Sequence, residues 1–229
     1  MHLKHLFGYF LGVLAVWFFI TAMSNVFAGH VFDGGDPRLD TTLQMFSTSN
    51  PGAGSATIFK LYPAVDMARG RNSPRVNSPT TCQVDILTAW HVADNAPLTN
   101  GEAEFELIAK DERMDLAILR GTVAHPCNSL VAVSFKSTGV PFGTPIWTVG
   151  YPLGSRAYAE GFAGECNIML NGLDWCMHSL SGGFGASGSG IYAGADLIGI
   201  VQRGVGEAGP YVMGVAPWHI QDFLDEVYD

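Results

Sequence analysis

Short runs of apolar and β-branched residues, separated by turns rich in Gly, Pro, Asp and Asn, recur along most of the chain. Their lengths and alternation are typical of β-strands. They lie at residues 57–62, 82–88, 103–109, 116–119, 131–135, 145–150, 197–201 and 211–215. A predicted helix follows at residues 218–228, with Ile220, Phe223, Leu224 and Val227 on one face. The pattern therefore predicts an all-β fold, a barrel or sandwich, that ends in a helix.

The first 28 residues have the pattern of a signal peptide. A basic start precedes 17 uncharged residues, 6–22, and the small residue Ala28 closes the stretch. We expect cleavage after Ala28. The uncharged run is also just long enough to cross a bilayer, so an uncleaved anchor is the alternative. In either case we expect the remaining chain to be exported, into the periplasm or the medium.

The rest of the chain, residues 29–229, is long enough for one all-β domain or for two small barrels. Residues 29–53, rich in Gly, Pro, Asp, Ser and Thr, are predicted to form a lead-in arm with a brief ordered piece at 43–46. The whole chain carries 12 Lys and Arg against 21 Asp and Glu. Removal of the leader removes only Lys4 from this count. The acidic balance argues against nucleic acid or an anionic membrane surface as a partner.

Four cysteines, all after the leader, suit an oxidising compartment and allow three disulfide pairings. Cys166 and Cys176 flank Asn171-Gly172 and could join the two strands of a hairpin, which leaves Cys82 to pair with Cys127. A zinc site at Cys166, Cys176 and His178 is the weaker alternative, because it lacks Cys-x-x-Cys spacing and a clear fourth ligand.

A glycine-rich loop, residues 185–190 with the sequence GASGSG, contains the strongest candidate for chemistry. Three glycines expose backbone N–H groups, which a pocket for a developing oxyanion requires, and Ser187 lies among them. Upstream, a predicted strand ends in Ala89-Trp90-His91, and Asp115 begins another. A nucleophilic serine needs a base, and the base needs a group that orients it.

Two neighbouring residues are competing candidates for these roles. Asp111 could orient the histidine, but its charged surroundings favour a solvated turn. Ser189 could be the nucleophile, but we expect a structural hydroxyl there.

These motifs resemble those of chymotrypsin-like (trypsin-fold) serine proteases, nearest the short bacterial trypsin-like forms. Residues 86–92, 115–119, 185–190 and 199–201 carry the resemblance, which covers about residues 54–227. It implies two six-stranded antiparallel β-barrels, at about 54–125 and 126–217, with the active site in the cleft between them.

The resemblance also implies roles for individual residues. His91 would act as general base, Asp115 would fix its tautomer, and Ser187 would attack the peptide carbonyl. The N–H groups of Gly185 and Ser187 would form the oxyanion hole. No metal or cofactor is implied.

The substrate-binding residues follow from the same resemblance. Ser181, six residues before the nucleophile, and Gly182 would form the floor of the primary pocket, and Gln202, Arg203 and Gly204 would line the cleft. Arg203 could point into the cleft and favour acidic side chains, or point outward into solvent. Because no carboxylate lies at the pocket floor, we expect cleavage after small or medium apolar residues, with acidic residues second and basic residues disfavoured.

Two functions are compatible with this reading. The first is a secreted, monomeric serine endopeptidase that hydrolyses polypeptides through an acyl-enzyme. The second is a catalytically silent binding module built on a protease fold. The presence of all three triad residue types favours the enzyme.

Overall fold

The computed structural model describes residues 41–47, 54–62, 81–94, 97–125, 127, 130–205 and 209–229. Every described residue belongs to one compact unit, which lies within residues 34–229. The predicted signal peptide, with its cleavage site, lies outside the described residues.

Six strands of the first half form a closed barrel in the order β1-β2-β3-β6-β5-β4. They are β1 (Thr42–Ser47), β2 (Gly54–Tyr62), β3 (Cys82–Ala89), β4 (Leu98–Thr99), β5 (Glu104–Asp111) and β6 (Leu116–Val123). The barrel closes because β1 pairs with both β2 and β4. Its interior is filled by apolar side chains, among them Ile58, Ile86, Phe105 and Leu119. β1 lies within residues 29–53, so part of the stretch predicted as a lead-in arm is a strand of the barrel.

Nine strands of the second half form two sheets. They are β7 (Ser134–Phe135), β8 (Pro145–Gly150), β9 (Ala157–Phe162), β10 (Ile168–Leu170), β11 (Leu173–His178), β12 (Gly190–Ala193), β13 (Asp196–Ile200), β14 (Arg203–Val205) and β15 (Tyr211–Val215). The strand orders are β7-β13-β12-β8-β9 and β10-β11-β15-β14.

Backbone hydrogen bonds join the two sheets at both sides. Phe162, at the end of β9, forms a bridge with Ser179, just after β11. On the other side, the Gln202 N–H donates to the Met213 carbonyl at 3.0 Å. The expected all-β fold with a C-terminal helix is therefore confirmed. The second half differs from six purely antiparallel strands, because β7 runs parallel to β13 and because β10 and β14 lie at the edges of the smaller sheet.

The described residues contain two α-helices, α1 (Trp90–Ala93) and α2 (Pro217–Tyr228). Ile220, Phe223 and Leu224 are buried on the inner face of α2, as the sequence predicts. They pack in one apolar cluster with Leu87 of β3 and Trp175 of β11. The helix therefore contributes to a core that both halves share.

Both predicted disulfides are present, Cys82–Cys127 and Cys166–Cys176. The second joins the segment just before β10 to β11. A two-residue turn connects these two strands, and its residues Asn171 and Gly172 both have positive φ. Asn-Gly is the preferred sequence for such a turn. Within the described ranges, no helix has the length and apolarity needed to span a membrane.

A buried carboxylate, Asp85 of β3, connects the first barrel to the end of α2. Arg120 donates to it from Nε at 2.6 Å and from a terminal nitrogen at 2.8 Å. The hydroxyls of Tyr62 and Tyr228 donate at 2.7 and 2.6 Å. Burial alone raises the pKa of Asp85, but Arg120 and the two hydroxyls outweigh it and hold that pKa below its ordinary value.

Candidate active site

His91 and Asp115 meet because β3 and β6 are antiparallel neighbours. Ala89, the last residue of β3, pairs with Leu116, the first of β6. The residues just beyond these ends, His91 in α1 and Asp115, therefore lie side by side. The Asp115 carboxylate contacts His91 Nδ1 at 2.8 and 3.1 Å and accepts the His91 backbone N–H at 2.9 Å. A carboxylate at Nδ1 favours the tautomer whose Nε2 accepts a proton.

The backbone of Asp115 is held in the left-handed region, with φ of +52°. Its carbonyl oxygen accepts two hydrogen bonds, from the Trp90 N–H at 3.0 Å and from Gln202 Nε2 at 2.7 Å. A non-glycine residue in this region is strained unless its surroundings hold it there. These donors fix the carboxylate toward His91.

Gln202, predicted to line the cleft, has a buried side chain. The residue is only 2% exposed. Its Nε2 donates to the carbonyls of Met114 and Asp115, and its Oε1 accepts the Val215 N–H at 2.6 Å. A buried amide satisfied at both ends positions the loop that carries Asp115.

The serine loop packs on the first barrel close to His91. The Ser187 carbonyl accepts the Ser55 N–H at 2.8 Å. A Cβ on Gly188 would lie 1.8 Å from the Ser55 oxygen and 2.2 Å from the Thr88 hydroxyl, so only glycine fits there. Thr88 precedes His91 by three residues, which brings Ser187 to the same end of β3. In this conformation the Ser187 hydroxyl forms no hydrogen bond with another described residue.

The peptide groups around Gly185 and Ser187 are oriented by protein donors. The carbonyl of Phe184 accepts the Leu153 N–H at 2.7 Å, and that of Ala186 accepts the Ser189 N–H at 3.0 Å. In a trans peptide the N–H points opposite to the carbonyl. The N–H groups of Gly185 and Ser187 therefore point away from these partners, and neither donates to another described residue. Two such N–H groups near a serine can stabilise an oxyanion.

Three of the predicted pocket residues bring no charge to the cleft. Ser181 is exposed, and Gly182 donates its N–H to the Gly209 carbonyl at 3.1 Å. A Cβ on Gly182 would lie 2.6 Å from a methyl group of Val212. A Cβ on Gly204 would meet nothing within 4 Å, so open space lies beside it.

Arg203 lies with its guanidinium 5.0 Å from the ring centre of Trp175. It is exposed, yet it is held against an aromatic face and does not extend freely into solvent. The sequence left two orientations open, into the cleft or outward into solvent, and in the structure the guanidinium lies over the Trp175 ring.

Sequence reasoning missed an apolar pair beside the oxyanion loop. Leu153 and Phe184 are 86% and 88% exposed, and a backbone hydrogen bond joins them. Leu153 has φ of +53° in the turn before Ser155. Two large exposed apolar side chains so close to Gly185 are unusual for a free surface and typical of a binding site.

The side chains of the two competing candidates, Asp111 and Ser189, lie in other surroundings. Asp111 accepts the Met114 N–H at 2.9 Å and so stabilises the turn between β5 and β6. Ser189 is fully buried, out of reach of a substrate. The sulfurs of Cys166 and Cys176 are joined in a disulfide and are not thiolate ligands for zinc.

His178 is a buried neutral histidine on β11. Its Nδ1 accepts the Gly164 N–H at 3.3 Å. Burial lowers the pKa of His178 to about 4.

No protein-family model matches the chain, and no curated protein sequence matches it. Solved structures do share its fold. The HtrA-type protease AlgW with a tripeptide has a TM-score of 0.61 at 20% identity, over 83% of this chain and 61% of the AlgW chain. AlgW with a decapeptide has a TM-score of 0.56 at 19% identity, over 82% and 64%. A mutant of Rv3671c from M. tuberculosis H37Rv, in an inactive form, has a TM-score of 0.58 at 14% identity, over 83% and 87%.

The chain spans half to about three fifths of the first AlgW chains it matches. At these identities the likeness establishes the fold. The protein has the two-barrel trypsin fold of HtrA-type serine proteases, and the resemblance drawn from the sequence motifs is confirmed at that level.

Proposed function

We propose that the protein is a serine endopeptidase in which His91, Asp115 and Ser187 form the catalytic triad. The observation that carries this proposal is the contact of the Asp115 carboxylate with His91 Nδ1 at 2.8 Å, at the barrel end where the serine loop packs. The fold of HtrA-type proteases, some of them solved with peptides, supports it.

In the proposed reaction, Ser187 Oγ attacks the scissile carbonyl while His91 Nε2 takes its proton. Asp115 holds the imidazole in position and stabilises the imidazolium that forms. The N–H groups of Gly185 and Ser187 stabilise the oxyanion of the tetrahedral intermediate. Each such donor typically contributes about 3 kcal/mol of transition-state stabilisation. His91 then protonates the leaving amine, and water hydrolyses the acyl-enzyme by the same steps in reverse order.

A fluorophosphonate probe on the purified protein tests the proposal. We expect a covalent adduct on the peptide that contains Ser187, together with hydrolysis of a fluorogenic peptide library. Ser187→Ala should lose both, whereas the control Ser155→Ala, at an exposed serine, should keep both. Folded wild-type protein that takes no probe and cleaves no peptide, yet binds peptides, would favour the silent binding module instead.

We also propose export as a monomer, with residues 1–28 as the signal peptide. The two disulfides support an oxidising compartment. N-terminal sequencing of the exported protein should begin at Gly29 if the leader is cleaved and at Met1 if it stays as an anchor. Light scattering of the exported protein tests the monomer.

A further inference from the structure

Arg203 lies on the outermost strand of the smaller sheet in the second half. β14 pairs with β15, with Arg203 opposite Met213, and no other described strand pairs with β14. The free edge of such a strand can bind an extended peptide by main-chain hydrogen bonds. A peptide bound there would pass directly beside the Arg203 side chain.

The charge of Arg203 is not neutralised within the described part of the protein. Its guanidinium forms no ion pair with a described carboxylate, and it lies over the ring of Trp175, 5.0 Å from the ring centre. Trp175 is fully buried in the shared core, so the ring is a fixed platform. A guanidinium stacked on a fixed ring keeps its N–H donors free and loses little entropy when it binds a carboxylate.

The Arg203 side chain lies on the Trp175 face of β14. Neighbouring residues of a strand point to opposite faces, so Arg203 and Gly204 face different ways. Gly204 faces open space, whereas Arg203 lies over Trp175. A substrate side chain beside Arg203, on the Trp175 face of β14, is therefore a different one from a side chain on the Gly204 face.

We propose that Arg203 selects substrates with an acidic residue two to four positions upstream of the scissile bond. This inference rests on the proposed peptidase function and names the substrate class for that site. A single cation matters here because the chain as a whole has a formal net charge of −9, which repels acidic peptides. Arginine binds a carboxylate through two parallel hydrogen bonds, which gives both affinity and orientation.

The test compares peptide pairs that differ only by Glu or Gln at the second, third or fourth upstream position. The measured quantity is the ratio of kcat/KM for the Glu peptide to that for the Gln peptide, within each variant. For wild type we expect a ratio of about five to ten at one of these positions, decreasing with added salt. Arg203→Gln should bring the ratio to about one, and Arg203→Glu should invert it. The control Lys136→Gln, which removes an exposed cation from the segment after β7, should leave the ratio unchanged.

A ratio near one at all three positions in wild type, or a ratio that persists in Arg203→Gln, would overturn the inference while leaving the peptidase intact. If the wild-type protein forms no fluorophosphonate adduct and cleaves no peptide, the proposed peptidase function is wrong, independently of Arg203. In that case calorimetric affinities of the same peptide pairs for wild type and Arg203→Gln decide whether Arg203 recognises a carboxylate.

Discussion

The side-chain amide of Gln202 donates a hydrogen bond of 2.7 Å to the main-chain carbonyl of Asp115. The two residues are 87 positions apart, and the bond joins the second half of the fold to the loop that carries the candidate catalytic carboxylate. At its other end the same amide accepts the Val215 N–H. The His91–Asp115 pair is thus positioned in part by a buried residue of the second half.

Gln202→Leu should therefore lower both stability and activity. It leaves the Met114 and Asp115 carbonyls and the Val215 N–H without this partner in a buried site, at a cost of about 2 to 4 kcal/mol in the free energy of unfolding. We expect kcat to fall, because Asp115 loses one of its two backbone anchors. Urea unfolding and peptide kinetics measure these effects. The control Gln83→Leu, at an exposed position of β3, should change the free energy of unfolding by less than about 0.5 kcal/mol. Equal stability of the two variants would contradict a positioning role for Gln202.

Asp115→Asn should reduce kcat/KM by about four orders of magnitude with little change in fold, because the amide no longer sets the His91 tautomer. Asp111→Asn is the matched control. Its side-chain oxygen can still accept the Met114 N–H, so we expect near wild-type activity. Comparable losses in the two variants would show that Asp115 is not the orienting carboxylate.

Tyr228→Phe tests the buried network around Asp85. The change removes one of the hydroxyls that donate to the carboxylate, and we expect a loss of about 1 to 2 kcal/mol in the free energy of unfolding. Tyr211→Phe, at an exposed tyrosine, is the control and should be neutral. The folded-state pKa of Asp85 lies below its unfolded value. The network's stabilisation is therefore present above about pH 4 and is lost as pH falls further, and an acid titration of unfolding should show this loss. Identical stability of the two tyrosine variants would contradict the network's role.

The sequence predicted those parts of the fold and the candidate site that depend on a few neighbouring residues. The alternation of apolar and polar residues located strands such as β3 and β6. A few neighbouring residues are enough to identify the Asn171-Gly172 turn and the motifs around His91 and Ser187. The missed features depend on residues far apart in the chain. β4 has only two residues and exists because β1 and β5 flank it. The sequence motif places Gln202 along the cleft, but its hydrogen bond to the Asp115 carbonyl, 87 positions away, is visible only in the fold.

The two disulfides should differ in the stability they confer, because they close loops of different length. Cys82 and Cys127 are 45 residues apart, and Cys166 and Cys176 only 10. By the loop-entropy model the first contributes about 4 kcal/mol and the second about 3 kcal/mol. Paired Cys→Ser variants, unfolded in urea under oxidising conditions, measure each contribution. A larger loss from the shorter loop would show that loop entropy is not the dominant effect.

His178 should make the protein less stable in mild acid. Its pKa is lowered to about 4 in the folded state, whereas the unfolded chain has the ordinary value near 6.5. Between these values the unfolded state binds a proton that the folded state does not, so stability falls as pH decreases from about 6.5 and levels off below about 4. The difference between these two pKa values corresponds to about 3 kcal/mol in the free energy of unfolding.

His178→Asn removes this titration and keeps an oxygen that can accept the Gly164 N–H. The free energy of unfolding at pH 7.5 minus that at pH 4 should be about 3 kcal/mol smaller in His178→Asn than in wild type. His125→Asn, at an exposed histidine, is the control and should retain the wild-type difference. The stability that is lost in acid through protonation of carboxylates is the same in all three proteins, so it cancels in the comparison. Parallel pH profiles for wild type and His178→Asn would show that the buried imidazole is not what destabilises the fold in acid.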